Sequence, residues 1–282
     1  MSALPLREQV GVSRWRRRLA RLAVYAVLAV ITVVMLYPFW SMGIASFRSL
    51  EQYQLGHGFS LTSWRELFRT LPVGRELANS TLITLGAIAL ILVVSTTAGY
   101  ALGTLRYRFS TVVFLLIVSA MMVPMQSMIV PEYVNLARLG FINRYHGAIL
   151  VYGALGAPFS TFLMATYFRR LPEDVIEAAL IDGLGYTKIF FRIMLPLALP
   201  AIVTVTVLQF IQVWDDLLVG LLFLQTPQLR PITVGLATIP AQHLLNVPVL
   251  MAGSLMSALP AILVYLVFQR YLITGLTMGM SK

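Results

Sequence analysis

Long apolar runs constrain this chain more than any other feature. They lie at about residues 22–46, 79–105, 111–130, 147–168, 197–224 and 249–271. A helix needs about twenty such residues to cross the ~30 Å hydrocarbon core of a bilayer. Only 11% of the 282 residues are charged, whereas soluble domains carry about 25%. A soluble fold of this composition would expose large apolar patches. Within lipid the backbone must satisfy its own hydrogen bonds, and the strict alternation of a barrel strand is missing, so the runs are read as helices. The expected fold is an all-α membrane protein with six transmembrane helices.

Charge sets the expected orientation. Arg14, Arg16, Arg17, Arg18 and Arg21 crowd the segment before the first run, where a cytoplasmic anchor faces anionic lipid. Lys and Arg divide about two to one in favour of the side holding both termini, which predicts that both are cytoplasmic. The tail imitates the charged region of a cleaved leader, but the following run is too long and lacks a small-residue cleavage site, so it is expected to be retained. The net charge of +10 is thus assigned to lipid and not to nucleic acid. The predicted organisation is a basic tail at 1–21, a transmembrane domain at 22–273 and a cytoplasmic tail at 274–282. Outer loops fall at 47–78, 131–146 and 225–248, and a large inner loop at 169–196.

Some chemistry is excluded. Cysteine is absent, so no disulfide or thiolate metal site can form. His57, His146 and His243 are far apart in sequence and read as loop or interfacial residues, so no metal is expected. A P-loop needs Lys followed by Ser or Thr. Lys188 precedes isoleucine and Lys282 is the last residue, so any ATP must be hydrolysed elsewhere.

The inner loop is a polar interruption between two apolar runs. Pro172 suits a first helical position. Glu173, Asp174 and Glu177 follow near the positive end of the helix dipole. Ala178 and Ala179 leave one face with little bulk, and Gly183 is placed to end the helix in a left-handed conformation. The product is a short, smooth helix projecting into the cytosol. Tyr186, Ile189, Phe190 and Ile193 then form a stripe expected to lie back on the membrane domain. An ordinary amphipathic connector has the same general look.

The outer loops differ. Trp64, Phe68 and Leu71 have helical spacing and predict a short interfacial helix. Pro227, Pro231, Pro240 and Pro248 prevent a continuous helix in the last outer loop. That loop is nonetheless apolar, with Ile232, Val234, Leu236 and Ile239, and either packs on its own helices or meets an external protein.

Within the runs, Gln209, Gln212 and Asp216 fall on one face of the fifth helix and are read as lining a hydrated path. A carboxylate at the bilayer centre costs roughly 2.5–3.5 kcal/mol, so Asp215 and Asp216 should avoid lipid. Amides and carboxylates hydrogen-bond solute hydroxyls, and Trp214 offers a flat surface on which a ring stacks. Alternatively, Asp215 and Asp216 sit wet at the outer helix end. Asn79 and Ser80 are expected to cap the second helix. Pro38, Pro124, Pro158 and Pro260 are placed inside helices, and Gly153, Gly156 and Ala157 permit close helix contact.

The inner loop matches E-A-A, three residues, G, nine residues, I-x-L-P, from Glu177 to Pro196. This resembles the signature loop of the membrane subunits of ABC-type importers. Supporting stretches are Asn79-Ser80-Thr81, Pro172-Glu173, Asp182-Gly183 and Trp214-Asp215-Asp216, with Asp215 where the family often has asparagine. The tail Gly275 to Lys282 resembles a Gly-Leu-Thr-x-Gly-x-x-Lys ending. The chain is most similar to the carbohydrate branch and its shorter, six-helix permease, like the second permease of maltose-type systems.

The resemblance implies a type I importer permease fold in a bacterial inner membrane, with the coupling helix between helices four and five. It implies that Glu177, Ala178, Ala179, Asp182 and Gly183 engage a separate ATPase, which the tail residues Gly275, Thr277 and Gly279 also reach. The implied partners are a second permease, two ATPase subunits holding ATP and Mg, and an extracytoplasmic solute-binding protein. The rival reading is a secondary transporter or channel driven by an ion gradient. It would need buried acidic residues near the midplane, for which Asp215 and Asp216 are the candidates. A non-transporting scaffold leaves the signature loop without a purpose.

Overall fold

A computed structural model describes residues 14–105, 107–239 and 246–277. The described residues form helices joined by turns, with no strand among them. In order these are α1 (Arg14–Ser46), α2 (Leu50–Leu55), α3 (Thr62–Thr70), α4 (Val73–Thr104), α5 (Ser110–Ala120), α6 (Met125–Arg138) and α7 (Tyr145–Phe168). There follow α8 (Glu173–Ile181), α9 (Tyr186–Ile189), a π-helical turn (Phe190–Met194), α10 (Leu195–Leu197), α11 (Leu199–Trp214), α12 (Leu218–Phe223), α13 (Ile232–Ala237) and α14 (Val247–Thr277). Residues 1–13 of the expected basic tail, His243, Pro240 and Gly279 lie outside the described residues, and α1 already begins at Arg14.

Among the described residues four helices are long and apolar enough to cross a bilayer: 18–46 of α1, α4, α7 and 247–271 of α14. Two further expected spans are not straight. Helices α5 and α6 meet at 96°, and the 186–197 segment meets α11 at 71°. If each bent pair is one span, the number reaches six. The first break has a simple cause. Pro124 adopts φ −68°, ψ 134° ahead of α6 and biases Val123 away from helix. Pro124 therefore precedes a helix and does not lie inside one. With eleven residues, α5 is only ~16 Å long at 1.5 Å per residue. At the second break, Pro196 and Pro200 flank Ala198, which leaves helical geometry at φ −83°, ψ 3°.

Helices α4 and α7 form the centre. Glycines set their separation. A Cβ on Gly99 would lie 2.6 Å from Met164 Cβ, one on Gly103 2.7 Å from the Ala165 carbonyl oxygen, and one on Gly153 would strike Leu90. The expected close approach at Gly153 and Gly156 is therefore observed, and α4 contributes glycines of its own. By contrast, none of the most apolar stretch of α1 is buried within this chain.

The start of α4 departs from expectation. Helix α4 begins at Val73, so Asn79 and Ser80 lie inside it and cap nothing. Both are buried and grip the 228–232 segment instead. Asn79 Nδ2 donates to the Gln228 and Arg230 carbonyls at 3.0 and 2.9 Å. Its Oδ1 accepts from the Tyr145 hydroxyl at 2.8 Å, and Ser80 Oγ accepts the Ile232 amide at 2.9 Å. Of the two readings offered for the 225–248 loop, self-packing holds for its described part: Ile232, Val234 and Ile239 are buried. The 47–72 segment carries two short helices, with Leu67 and Leu71 buried beside α14 residue Val249. Asn79→Ala strands two carbonyls and a hydroxyl, each costing about 1–3 kcal/mol when buried. The expected result is a net loss on the order of 2 kcal/mol, read as a lower unfolding temperature in mild detergent and faster proteolysis within 225–239.

Candidate functional site

The 172–197 segment folds largely as its residues dictate. Pro172 precedes α8 by one residue, and Glu173 and Asp174 occupy the first turn. At the other end Gly183 takes φ +78°. The Gly183 amide donates to the Leu180 carbonyl and the Leu184 amide to the Ala179 carbonyl, both at 3.0 Å. This paired closure satisfies carbonyls that a helix end otherwise leaves open.

Helix α8 is seated, not free. Ala179 is buried with Ile189, Phe190 and Met194 against Tyr100 and Phe168. The Tyr100 ring lies 5.1 Å from Phe190 and 5.8 Å from Phe168, and its hydroxyl donates to the Tyr186 carbonyl at 3.3 Å. The inward stripe is thus Ile189, Phe190 and half-buried Ile193, whereas the Tyr186 side chain is exposed. The two alanines part company: Ala179 faces the core, and Ala178 is exposed together with Glu177, Asp182 and Gly183. Ile181 is 85% exposed and Leu180 38%. These apolar side chains at the helix tip were not singled out from the sequence, because periodicity alone assigns such residues to a core. Gly275 and Thr277 fall in the last turns of α14, which continues past the expected tail boundary at 274.

A second feature lies deeper. A cavity of about 380 Å³ opens at the bend between α5 and α6 and is walled by α7 and α11. Small-molecule sites measure about 300–1,000 Å³. Its polar lining is Glu132, Tyr152, Gln209, Gln212 and Asp216, and Met121, Met125, Met128 and Phe159 supply apolar wall. The expected trio of Gln209, Gln212 and Asp216 is brought together there, but by a different route. Helix α11 ends at Trp214, well short of 224, so Asp216 does not extend its face. Asp216 Oδ1 accepts the Val219 amide at 2.8 Å and the Tyr152 hydroxyl at 2.9 Å, which starts α12 and ties it to α7.

Gln209 is buried, and its Nε2 donates to Ser160 Oγ at 3.1 Å. Gly156 makes room for it, since a Cβ there would sit 2.6 Å from Gln209 Oε1. Two expected lining residues are elsewhere. Trp214 is buried, stacks on Phe210 at 5.3 Å and donates Nε1–H to the Ser257 carbonyl at 2.9 Å. Its ring is therefore committed to α14, and Tyr152 and Phe159 are the aromatic surfaces at the cavity. Asp215 is exposed beyond the helix end and does not line the cavity. Conversely, Glu132 was assigned to an outer loop, but α6 continues through it to Arg138. Asp216→Leu removes the acceptor for the Val219 amide in the first turn of α12 and for the buried Tyr152 hydroxyl. We expect a loss of about 2 kcal/mol, seen as a lower unfolding temperature in detergent, and Asp216→Asn, which still accepts both bonds, should keep most of it.

Among the described residues no group of three or more His, Asp or Glu converges as a metal site would require. Residues 95–273 match the family described as the binding-protein-dependent transport system inner membrane component. The chain belongs to this family. It is 34% identical over 252 residues to a probable ABC transporter permease protein of Pyrococcus horikoshii, covering 86% of this chain and 91% of that one. It is 30% identical over 224 residues to the melibiose/raffinose/stachyose import permease of Bacillus subtilis, covering 79% and 81%. Its fold matches a chain in the crystal structure of a bacterial ABC transporter involved in the import of the acidic polysaccharide alginate. There the TM-score is 0.80 at 23% identity, over 95% of this chain and 99% of that chain. The chain is thus the permease component of an ABC importer, an inner-membrane protein whose class carries no nucleotide-binding site of its own.

Proposed function

We propose that this permease forms half of the translocation path for a sugar or related solute, and that α8 couples it to a separate ATPase. The observation that carries this reading is the seating of α8. A sharply terminated helix presents Glu177, Ala178, Ile181 and Asp182 outward while Ala179 locks it to the ends of α4 and α7. A push on the exposed side reaches the central helix pair without an intervening flexible joint. The saccharides named for the Bacillus subtilis relative, with amides, carboxylates and aromatic rings on the cavity wall, support a sugar as cargo.

In this reading both termini are cytoplasmic, as the Lys and Arg distribution favours. Two ATPase subunits bind ATP and Mg, and their closure moves α8 and swings the bundle. A second, non-identical permease completes the pore, and an external binding protein delivers solute to the outer loops. In this reading the tail residues Gly275, Thr277 and Gly279 also contact the ATPase. The test is uptake of labelled raffinose into vesicles containing the four membrane and ATPase components, with binding protein outside. Uptake that requires ATP and ceases on deletion of 173–183 supports the assignment. Uptake driven by an ion gradient without ATP overturns it.

A further inference from the structure

The cavity has an electrical character that the α5–α6 bend creates. Met128 and Glu132 lie one helical turn apart on α6, so both face the opening with Asp216 across from them. No Lys, Arg or His is found among the described residues that line it. Asp216 Oδ1 is used by Val219 and Tyr152, whereas Oδ2 has no donor among the described residues. Glu132 likewise has no hydrogen-bonding or ionic partner among them. Two carboxylates therefore share a partly enclosed space of about 380 Å³, with low-dielectric walls of methionine, phenylalanine and proline. Such walls focus a field of one sign and change the local concentration of charged species by tenfold or more.

We propose that Glu132 and Asp216 are specificity-determining residues that bar anionic solutes, so that the cargo is an uncharged polyhydroxylated compound and not a phosphorylated or uronic-acid sugar. This rests on the cavity belonging to the translocation path. Neutral hydroxyls can donate to both carboxylates and to the Gln212 amide oxygen, with Tyr152 and Phe159 covering apolar ring faces. A phosphate or carboxylate on the solute would meet like charge with no cation from this chain to offset it.

The chain has no native cysteine, which permits a direct test. Met128→Cys is introduced into the assembled importer in vesicles. It is treated with neutral methyl, cationic trimethylammonioethyl or anionic sulfonatoethyl methanethiosulfonate. Modification of this chain is followed by mass, and each rate is divided by that of the same reagent with free 2-mercaptoethanol. The expected result is a normalised cationic rate at least tenfold above the anionic one. Glu132→Gln combined with Asp216→Asn, which keeps the Tyr152 and Val219 acceptor, should bring the ratio near one. Equal cationic and anionic rates in the Met128→Cys chain, including through a cation supplied by the second permease, overturn the proposal and leave the path intact. Failure of all three reagents to react means the cavity is not hydrated and removes the path reading itself.

Discussion

Gly183→Val will reduce ATP-driven uptake tenfold or more while the permease remains in the membrane. Gly183 holds φ +78°, a conformation costing an ordinary L-residue about 1–2 kcal/mol and a β-branched one more. Nothing lies within 4 Å of where its Cβ would be, so the effect is confined to the backbone and spares the packed core. The valine chain relieves strain by opening the Gly183–Leu180 and Leu184–Ala179 closure, which lets the exposed tip at Ile181 swing away from the seat that Ala179 provides. Each 1.4 kcal/mol is tenfold in an equilibrium. Gly183→Asn should fall between, because asparagine tolerates the left-handed region. Uptake and solute-stimulated ATPase in vesicles, set against the amount of membrane-bound chain, measure this. Full uptake by the valine variant would end the coupling assignment for α8.

Gly99→Leu will act on the fold itself. The new Cβ would lie 2.6 Å from Met164 Cβ and 3.0 Å from the Ala165 amide nitrogen. Neither atom can rotate away, since one is a β-carbon and the other is backbone. Helices α4 and α7 must separate along the interface that organises the molecule, and the loss should reach about 3 kcal/mol or more. Much of the chain should then be degraded or recovered without its partners. Gly74→Leu is the control: it lies on the same helix with nothing within 4 Å of its Cβ, and it should behave as wild type. Yield of the assembled complex and unfolding temperature in mild detergent distinguish the two. Equal behaviour of the pair would mean that the glycine contacts do not set the helix separation.

The parts of this permease legible in sequence are those governed by local chemistry. Apolar length marks the helices, because a bilayer core accepts little else. Pro172, the early acids and Gly183 mark α8, because a helix start and stop depend on neighbouring backbone groups. Helical geometry runs through the I-x-L-P end of the signature at Pro196 and breaks only at Ala198, ahead of Pro200. Pro124 is expected inside a helix, yet the chain turns nearly perpendicular there. A proline signals that a helix is interrupted, and only packing around it sets the angle.

Residues whose role depends on a distant partner were the ones misplaced. Asn79 and Ser80 have the side chains of helix caps, but the backbone groups they satisfy are about 150 positions away, within 228–232. Trp214 could equally face solute or α14, and a carbonyl at Ser257 decides it. Glu132 carries no mark in sequence that separates a loop acid from a cavity acid. Composition and local backbone preferences thus determined by themselves that this is a helical membrane protein with a short, sharply ended polar helix between two apolar runs, since each follows from solvent and nearest neighbours. Tertiary structure alone decided that Glu132 and Tyr152 join Gln209, Gln212 and Asp216 at the cavity while Trp214 and Asp215 do not, because that depends on how two bent helix pairs fold back on α4 and α7.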